Sequence, residues 1–171
     1  MTGHSPFGNA EAEMVRTIVK GAVDEARAFF GVDAEGAAPL LPLLHALQAE
    51  FGYVDAAAIP LIADALNISQ ADVRGTISFY HDFRHAPPGK HVLKLCRAEA
   101  CQASGGERIA AYLAARHSLK PGTTTADGSL TLENVYCLGN CALGPAALMD
   151  DTLVGGIDED RADALVAEAR A

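Results

Sequence analysis

His91-Val-Leu-Lys-Leu-Cys-Arg-Ala-Glu-Ala-Cys101 is the stretch that decides the fold, because a short strand-like run ends directly in a pair of cysteines. A second run, Leu130 to Tyr136, ends in the same way, in Cys137-Leu-Gly-Asn-Cys141. The two pairs, spaced C-x4-C and C-x3-C, contain all four cysteines of the 171-residue chain. Two close pairs that converge in space form a four-thiolate site, which binds zinc or an iron–sulfur cluster.

The segment after Pro87-Pro88-Gly89 predicts strands that alternate with helices. After the first strand run, a pair of glycines opens a helix, and turn-rich sequence leads to the second strand run. Acidic residues start a last helix, where they complement the helix dipole. These further elements are a helix over Glu107–Ala115 with Ile109, Ala110 and Leu113 inward, a hairpin of Ala146–Met149 and Thr152–Val154 joined by Asp150-Asp151, and a helix over Arg161–Ala169. The order β-α-β-β-β-α predicts a thioredoxin-like α/β domain over residues 90–171.

Residues 9–86 predict a small helical bundle, preceded by a mobile tail over residues 1–8. Apolar residues recur at helical spacing, and cap and stop signals divide the segment into four helices. The predicted helices are Glu11–Phe30 ended by Gly31, Pro39–Phe51 ended by Gly52, Ala56–Leu66 capped by Asp55 and ended by Asn67, and one that opens at the capping box Ser69-Gln-Ala-Asp72 and runs to about Phe83. The fold class is therefore α+β, a helical bundle followed by a thioredoxin-like α/β domain.

Composition and charge exclude several kinds of partner. A net charge of −9 argues against nucleic acid, because no basic surface is present to release counterions. The most apolar stretch, residues 37–47, is short and interrupted by Pro39 and Pro42, so we expect no membrane insertion. The first residues carry no signal-peptide pattern, so we expect a reducing, cytoplasmic compartment, where paired cysteines favour metals over disulfides.

The residues alone leave the metal open between zinc and iron. Both cysteine spacings are compatible with a zinc site, and two local disulfides or four unrelated core thiols are the simpler alternatives. Gly105, Gly106, Gly139 and Gly144 lie beside the cysteines, and such residues let the backbone approach a bulkier iron–sulfur cluster.

Other residues give weaker signals. His81 and His85 have metal-ligand spacing on a helix but lack a third ligand, so a surface role is expected. Helical spacing favours core packing for Met14 in the first helix and for Tyr80 in the fourth, whereas Phe79 and Phe83 suit either the core or a partner contact.

The sequence gives only weak indications of the role of Arg97 and of the isomer of the peptide bond before Pro145. The cation of Arg97 could stabilise an electron-rich cluster, whereas Glu99 would oppose this effect. A solvent-facing loop charge is nevertheless the preferred interpretation of Arg97. The bond before Pro145 is expected to be trans from base rates.

The chain resembles the thioredoxin-like [2Fe–2S] subunits of NADH dehydrogenase modules, a family that includes a peripheral subunit of respiratory complex I and counterparts in NAD-reducing hydrogenases. The resemblance covers about residues 38–157 and rests on the cysteine pairs and on Leu47-Gln-Ala-Glu-Phe-Gly-Tyr-Val54, Pro88-Gly-Lys-His91 and Leu138-Gly-Asn-Cys-Ala-Leu-Gly-Pro145. Within the family, Ser78-Phe-Tyr-His-Asp-Phe-Arg84 and Leu95-Cys-Arg-Ala-Glu-Ala-Cys-Gln102 are most similar to the gamma subunit of molybdenum-containing, NAD-dependent formate dehydrogenase.

The resemblance implies one [2Fe–2S] cluster, with Cys96, Cys101, Cys137 and Cys141 matching the family's ligands. It also implies that this chain transfers electrons and has no catalytic residues of its own. The implied partner is a flavin- and NAD-binding iron–sulfur subunit. For formate dehydrogenase, a molybdenum-bearing catalytic subunit belongs to the same complex. The chain has no G-x-G-x-x-G motif or phosphate-binding loop of its own. A zinc-stabilised interaction module is the alternative of another class. A thiol–disulfide oxidoreductase is disfavoured because no C-x-x-C is present.

Overall fold

A computed structural model describes residues 8–30 and 39–171, and the chain divides after Pro87 into two compact units. The predicted tail, apart from Gly8, and the predicted helix stop at Gly31 lie outside the described residues. No helix within those residues is long and apolar enough to cross a membrane. The fold class predicted from the sequence is confirmed, because helices come first and a mixed sheet flanked by helices follows.

The first unit is built from four helices: α1 (Asn9–Phe30), α2 (Leu40–Phe51), α3 (Ala58–Leu66) and α4 (Gln70–Phe79). Left-handed residues end α2 at Gly52 and α3 at Asn67, as predicted. The capping box of Ser69 and Asp72 opens α4, also as predicted. The helices enclose one apolar core that includes Val15, Val19, Leu43, Leu44, Leu47, Ile59, Ile62, Leu66, Val73, Ile77 and Phe83.

Several details of this unit differ from the sequence prediction. Asp55 accepts a hydrogen bond from the N–H of Ala57 in a turn that precedes α3, so this helix begins two residues later than predicted. Helix α4 ends at Phe79, because Tyr80 is extended and a tight turn follows it. Met14 is exposed, although helical spacing placed it inward.

The end of α4 is drawn toward α2 by the side chain of Gln48. Its amide donates to the Asp82 carbonyl at 2.7 Å and accepts from the Arg84 N–H at 2.7 Å. This turn buries Phe83 and leaves Tyr80 42% and Phe79 73% exposed. The prediction of core packing for Tyr80 was therefore wrong, because it extended the helical periodicity beyond the true end of the helix.

The second unit is a five-stranded sheet with helices. Its elements are β1 (His91–Cys96), α5 (Glu99–Ala103), α6 (Gly106–His117), β2 (Thr123–Thr124), β3 (Leu130–Val135), a 3-10 turn (Cys141–Leu143), β4 (Ala147–Met149), β5 (Thr152–Val154) and α7 (Glu159–Arg170). The strand order is β2-β3-β1-β4-β5, with β1 parallel to β3 and all other pairs antiparallel. The predicted hairpin, and the inward positions of Ile109, Ala110 and Leu113, are confirmed.

The sheet packs against helices to form the second core. Helix α6 packs on β1, α7 packs on β3, and the two helices contact each other. Leucines of the central strands meet apolar side chains of both helices there; the buried set includes Leu93, Leu95, Ile109, Leu113, Leu130, Leu132, Leu165 and Val166. Strands β1 and β3 are consequently held in fixed register, and both end at the same edge of the sheet.

Candidate iron–sulfur site

The parallel pairing of β1 and β3 brings the two cysteine pairs to one edge of the sheet. Cys96, the last residue of β1, lies opposite Val135, and Cys137 follows two residues later. The N–H of Arg97 donates to the Val135 carbonyl at 2.8 Å, which extends the ladder past the first cysteine. Parallel strands end at the same edge, so the loops after them are neighbours. The sheet therefore positions both loops.

The first cysteine loop is short and packs tightly against α6. Cys101 lies in α5, a helix of five residues that the sequence did not predict. A Cβ atom at Gly106 would lie 2.8 Å from the carbonyl oxygen of Cys101, closer than side chains normally approach. Glycine at this position allows α6 to begin directly against the loop. Cys96 and Cys101 are both buried as a result.

The second cysteine loop lies at the surface. Cys137 has φ +76° and Gly139 φ +74°, both in the left-handed region, so the chain reverses direction sharply before Cys141. The two sulfurs lie 3.9 Å apart, and the N–H of Gly139 donates to Cys137 Sγ at 3.5 Å. Both cysteines are exposed.

A glycine after β5 supports this second loop. A Cβ atom at Gly155 would lie 2.6 Å from Asn140 Nδ2 and 2.9 Å from the Leu143 carbonyl oxygen. The next N–H, that of Gly156, donates to the same carbonyl at 2.6 Å. The backbone directly after β5 therefore packs against the second loop and is hydrogen-bonded to it.

Backbone N–H groups from both loops point at the sulfur of Cys96. Burial acts to raise the pKa of this thiol, but hydrogen bonds from the Ala98 N–H, from the Cys101 thiol, and from the Cys137 and Leu138 N–H groups outweigh burial and lower the pKa. Two of these donors belong to the second loop, so the two loops meet at Cys96. Donors of this kind stabilise a thiolate and are a common feature around iron–sulfur clusters.

The pKa values of Cys101 and Cys141 shift in the opposite direction. Burial raises the pKa of Cys101, and its hydrogen bond with Cys96 adds to the rise, while the Ala146 N–H opposes it. The hydrogen bond with Cys137, and the charge of Cys137, raise the pKa of Cys141. Burial and the neighbouring sulfur therefore oppose ionisation of Cys101, and the neighbouring sulfur of Cys137 opposes ionisation of Cys141. A cation at the site would remove that opposition.

The arrangement of the four thiols fits a [2Fe–2S] cluster. All four are free, which argues against the disulfide alternative. Two sulfurs on one tetrahedral metal with bonds of about 2.3 Å lie about 3.8 Å apart, close to the 3.9 Å between Cys137 and Cys141. Within residues 8–30 and 39–171, no group of three or more Cys, His, Asp or Glu side chains could hold a single metal ion. The thiols form two close pairs, Cys96 with Cys101 and Cys137 with Cys141, an arrangement that fits the two irons of a [2Fe–2S] cluster.

The bond between Gly144 and Pro145 is cis, so the expectation of a trans bond was wrong. The tertiary amide of an X–Pro bond reduces the preference for trans to about 0.5–1 kcal/mol, which allows the surrounding structure to select either isomer. Ala146 follows this proline, and its carbonyl accepts a hydrogen bond from the Cys96 N–H at 3.0 Å.

Arg97 is not the solvent-facing charge that the sequence favoured. Its guanidinium forms a two-pronged ion pair with Glu107 of α6, with Nη2 2.6 Å from each carboxylate oxygen and Nε 3.0 Å from Oε1. Nη1 also donates to the Asn134 side chain at 3.4 Å. Glu99, which was expected to oppose the effect of Arg97 on a cluster, is exposed. Sequence reasoning missed Glu107 because only the packing of α6 on β1 brings it to Arg97.

His81 and His85 lie on the surface beyond the end of α4, so the helical spacing that made them a candidate pair does not apply. They belong to the helical unit and have no metal-ligand partners among the described residues. Phe79 is exposed, which agrees with the possibility of a partner contact, whereas Phe83 belongs to the core.

A family model of thioredoxin-like [2Fe–2S] ferredoxins matches residues 28–170. The chain belongs to this family. The family interpretation of the sequence, and its cofactor of one [2Fe–2S] cluster, are thereby confirmed. The narrower similarity to the gamma subunit of formate dehydrogenase stays a prediction.

This ferredoxin is similar to subunits of an NADH-quinone oxidoreductase and of hydrogenases. It is 40% identical over 108 residues to a subunit of the NADH-quinone oxidoreductase of Escherichia coli (strain K12), and the match covers 63% of this chain and 65% of that protein. It is 28% identical over 129 residues to the HndA subunit of the NADP-reducing hydrogenase of Solidesulfovibrio fructosivorans, covering 75% of each. The structure of an NAD⁺-reducing [NiFe]-hydrogenase in the H₂-reduced state aligns with TM-score 0.66 and 27% identity, over 80% of this chain and 23% of that one.

Proposed function

We propose that this ferredoxin is the electron-transfer subunit of an NAD-linked oxidoreductase complex and that Cys96, Cys101, Cys137 and Cys141 hold its cluster. A bound [2Fe–2S] cluster accepts and releases one electron at a time. The protein supplies thiolate ligands, N–H donors and a fixed position for them. In this proposal residues 90–171 form the cluster domain, residues 9–86 form the helical bundle, and the compartment is the reducing cytoplasm.

One observation carries the proposal: Cys137 and Cys141, which we call the outer pair, lie at the surface between exposed apolar side chains. Tyr136 precedes Cys137 and Leu143 follows Cys141, and both side chains are largely exposed. Exposed large apolar residues beside a redox site are typical of a docking face. A partner seated on this face would come close to the outer pair and exclude water from it.

The partner proposed for this face is a flavin- and NAD-binding iron–sulfur subunit. The relatives named for NADH-quinone oxidoreductase and for hydrogenases support this class of partner. Similarity to the gamma subunit of formate dehydrogenase in Ser78–Arg84 and Leu95–Gln102 extends the proposal to a molybdenum-bearing catalytic subunit in the same complex. A respiratory complex I and an NAD-reducing hydrogenase are the alternative parent complexes.

Purification of the complex from the native host, with an affinity tag on the full chain, tests the proposal. We expect flavin and molybdenum to copurify in equal amounts with the chain, and formate to reduce NAD⁺. Nickel instead of molybdenum would assign the chain to a hydrogenase, and quinone reduction by NADH without either metal would assign it to a respiratory complex. A chain that purifies without any flavoprotein would overturn the proposed function.

A further inference from the structure

Arg97 and Glu107 form an ion pair that closes the first cysteine loop. Arg97 follows Cys96 directly, and Glu107 follows Gly106, where an added Cβ atom would lie 2.8 Å from the carbonyl oxygen of Cys101. The loop between the two charged residues contains Cys101. The Gln102 side chain also donates to the Arg97 carbonyl at 2.7 Å, so the backbone of Arg97 is fixed independently of its guanidinium.

The two charges are unequally shielded from water. The Arg97 side chain is 20% exposed and the Glu107 side chain 56% exposed. A guanidinium stays charged at every relevant pH, and a half-buried charge is screened less than a charge on the open surface. Removal of Glu107 would therefore leave a net cation at the first cysteine loop, whereas removal of Arg97 would leave an anion there.

A cluster held by these cysteines would gain one negative charge when it is reduced by one electron. A nearby cation stabilises the reduced form and a nearby anion destabilises it. We propose that Arg97 and Glu107 are a positioning pair whose balance of charge sets the reduction potential of the cluster. This inference rests on the ligand set of the proposed function and adds to it a residue pair that contacts no ligand sulfur.

The sign of the effect separates this role from mere structural support. If the pair only held the loop together, breaking it from either side would have the same result, a loosened loop. If the pair sets the local charge, the Glu107→Gln and Arg97→Gln variants must shift the midpoint potential in opposite directions. A difference in sign is therefore the result to seek.

The experiment is a potentiometric titration of the full chain, loaded with ferrous iron and sulfide and followed by EPR during reduction with dithionite. For Glu107→Gln we expect a more positive midpoint, by a two- to tenfold change in the one-electron reduction equilibrium, which is about 18 to 59 mV. For Arg97→Gln we expect a shift of similar size to a more negative midpoint. Arg97→Lys, which keeps the charge, should stay close to the wild type.

Glu168→Gln is the matched control. Glu168 forms an exposed ion pair with Arg161 at 3.2 Å, and its side chain is 57% exposed, close to the value for Glu107. Both residues belong to α7, which contributes nothing to the cysteine loops. The same change of charge should therefore leave the midpoint unchanged within error.

The exchanged pair, Arg97→Glu with Glu107→Arg, keeps the result interpretable if Arg97→Gln binds iron poorly. Because the exchange restores a balanced ion pair, we expect a midpoint much nearer to the wild type than that of Glu107→Gln. Shifts of the same sign in both single variants, or no shift at full iron content, would overturn the inference. A wild-type chain that takes up no cluster would instead overturn the ligand assignment.

Discussion

At the scale of single residues, the four cysteines divide by exposure into an inner and an outer pair. Cys96 and Cys101 are buried and pack with Ala146, whereas Cys137 and Cys141 are exposed. The inner pair lies between the end of β1 and α6, where the backbone is most constrained. The outer pair lies where another protein can reach it. This division gives the site a fixed side and an accessible side.

Replacement of Cys141 by alanine should abolish or severely destabilise cluster binding. Removing one of four thiolates leaves one iron without its full set of ligands and removes a charge that balances the metal. The helical unit should stay folded, because no cysteine belongs to its core. Iron and sulfide content, together with the circular dichroism of the helices, measure both effects.

Leu143→Ala in the same 3-10 turn is the matched control, since Leu143 is exposed and carries no ligand atom. It should retain full iron content. A Cys141→Ala variant that keeps the iron and the visible spectrum of the wild type would show that the ligand assignment is wrong.

The chemistry of the candidate ligands could be predicted from the sequence, but the surroundings of the ligands could not. The spacing of four cysteines after two strand-like runs is a local pattern, and it indicates a thiolate site directly. Glu107 and Asn134 reach Arg97 only after α6 and β3 pack beside β1, so no local pattern indicates them. The four N–H groups around Cys96 and Cys101 depend on loop geometry in the same way.

At the scale of elements, the contact between α6 and the first cysteine loop depends on Gly106. Alanine at this position would place a Cβ atom 2.8 Å from the backbone oxygen of Cys101, and a backbone oxygen cannot move aside as a flexible side chain can. We expect Gly106→Ala to lower the melting temperature of the second unit and to reduce iron uptake. Thermal denaturation and iron content of the loaded protein measure the two effects.

Gly75 provides the matched helical control. A Cβ atom there would meet nothing within 4 Å, so Gly75→Ala should leave iron uptake unchanged and keep or raise the stability of α4. The expected gain is about 0.4–1 kcal/mol, because alanine restricts the unfolded chain. Equal behaviour of the two variants would refute the argument that close packing selects glycine at position 106.

Helices α6 and α7 are joined by a polar contact that depends on pH. Hydrogen bonds from the His117 ring and from the Tyr112 hydroxyl, at 2.6 and 3.0 Å, lower the pKa of Asp163. A carboxyl with a lowered folded pKa adds stability above its unfolded pKa of about 4, and this stability is lost as the pH falls through the folded value.

Asp163→Asn should therefore be less stable than the wild type at neutral pH, and its melting temperature should fall less on acidification to about pH 3, below the unfolded pKa of an aspartate. Melting curves at both pH values measure the difference. Asp151→Asn, at an exposed position of the β4–β5 turn with no hydrogen bond among the contacts described, is the control and should follow the wild type. Parallel curves for Asp163→Asn and the wild type would contradict the assignment.

The elements missed by the sequence are the short ones. Helix α5 has five residues and β2 has two, so neither is long enough to show a period. Long amphipathic helices and capped ends such as that at Ser69 were predicted well, because caps act locally. The end of α4 was misplaced because a contact distant in sequence, from Gln48, draws the chain out of the helix.

At the scale of the whole molecule, the chain carries a net charge of −9. Reduction adds a further negative charge, so an acidic protein disfavours it. We expect a low midpoint, nearer to the value of about −400 mV for all-cysteine plant-type ferredoxins than to the range of Rieske centres. Potentiometric titration of the wild-type chain measures it, and a midpoint above zero would contradict this expectation.

The metal content of the full chain tests the central claim, that the four cysteines hold one [2Fe–2S] cluster, most directly. Protein purified without oxygen should contain about two irons and two sulfides per chain with no zinc, and reduction by dithionite should give a rhombic S = 1/2 EPR signal. One zinc per chain and no EPR signal would contradict the account, because the cysteines would then hold a structural ion and the protein could not transfer electrons through them.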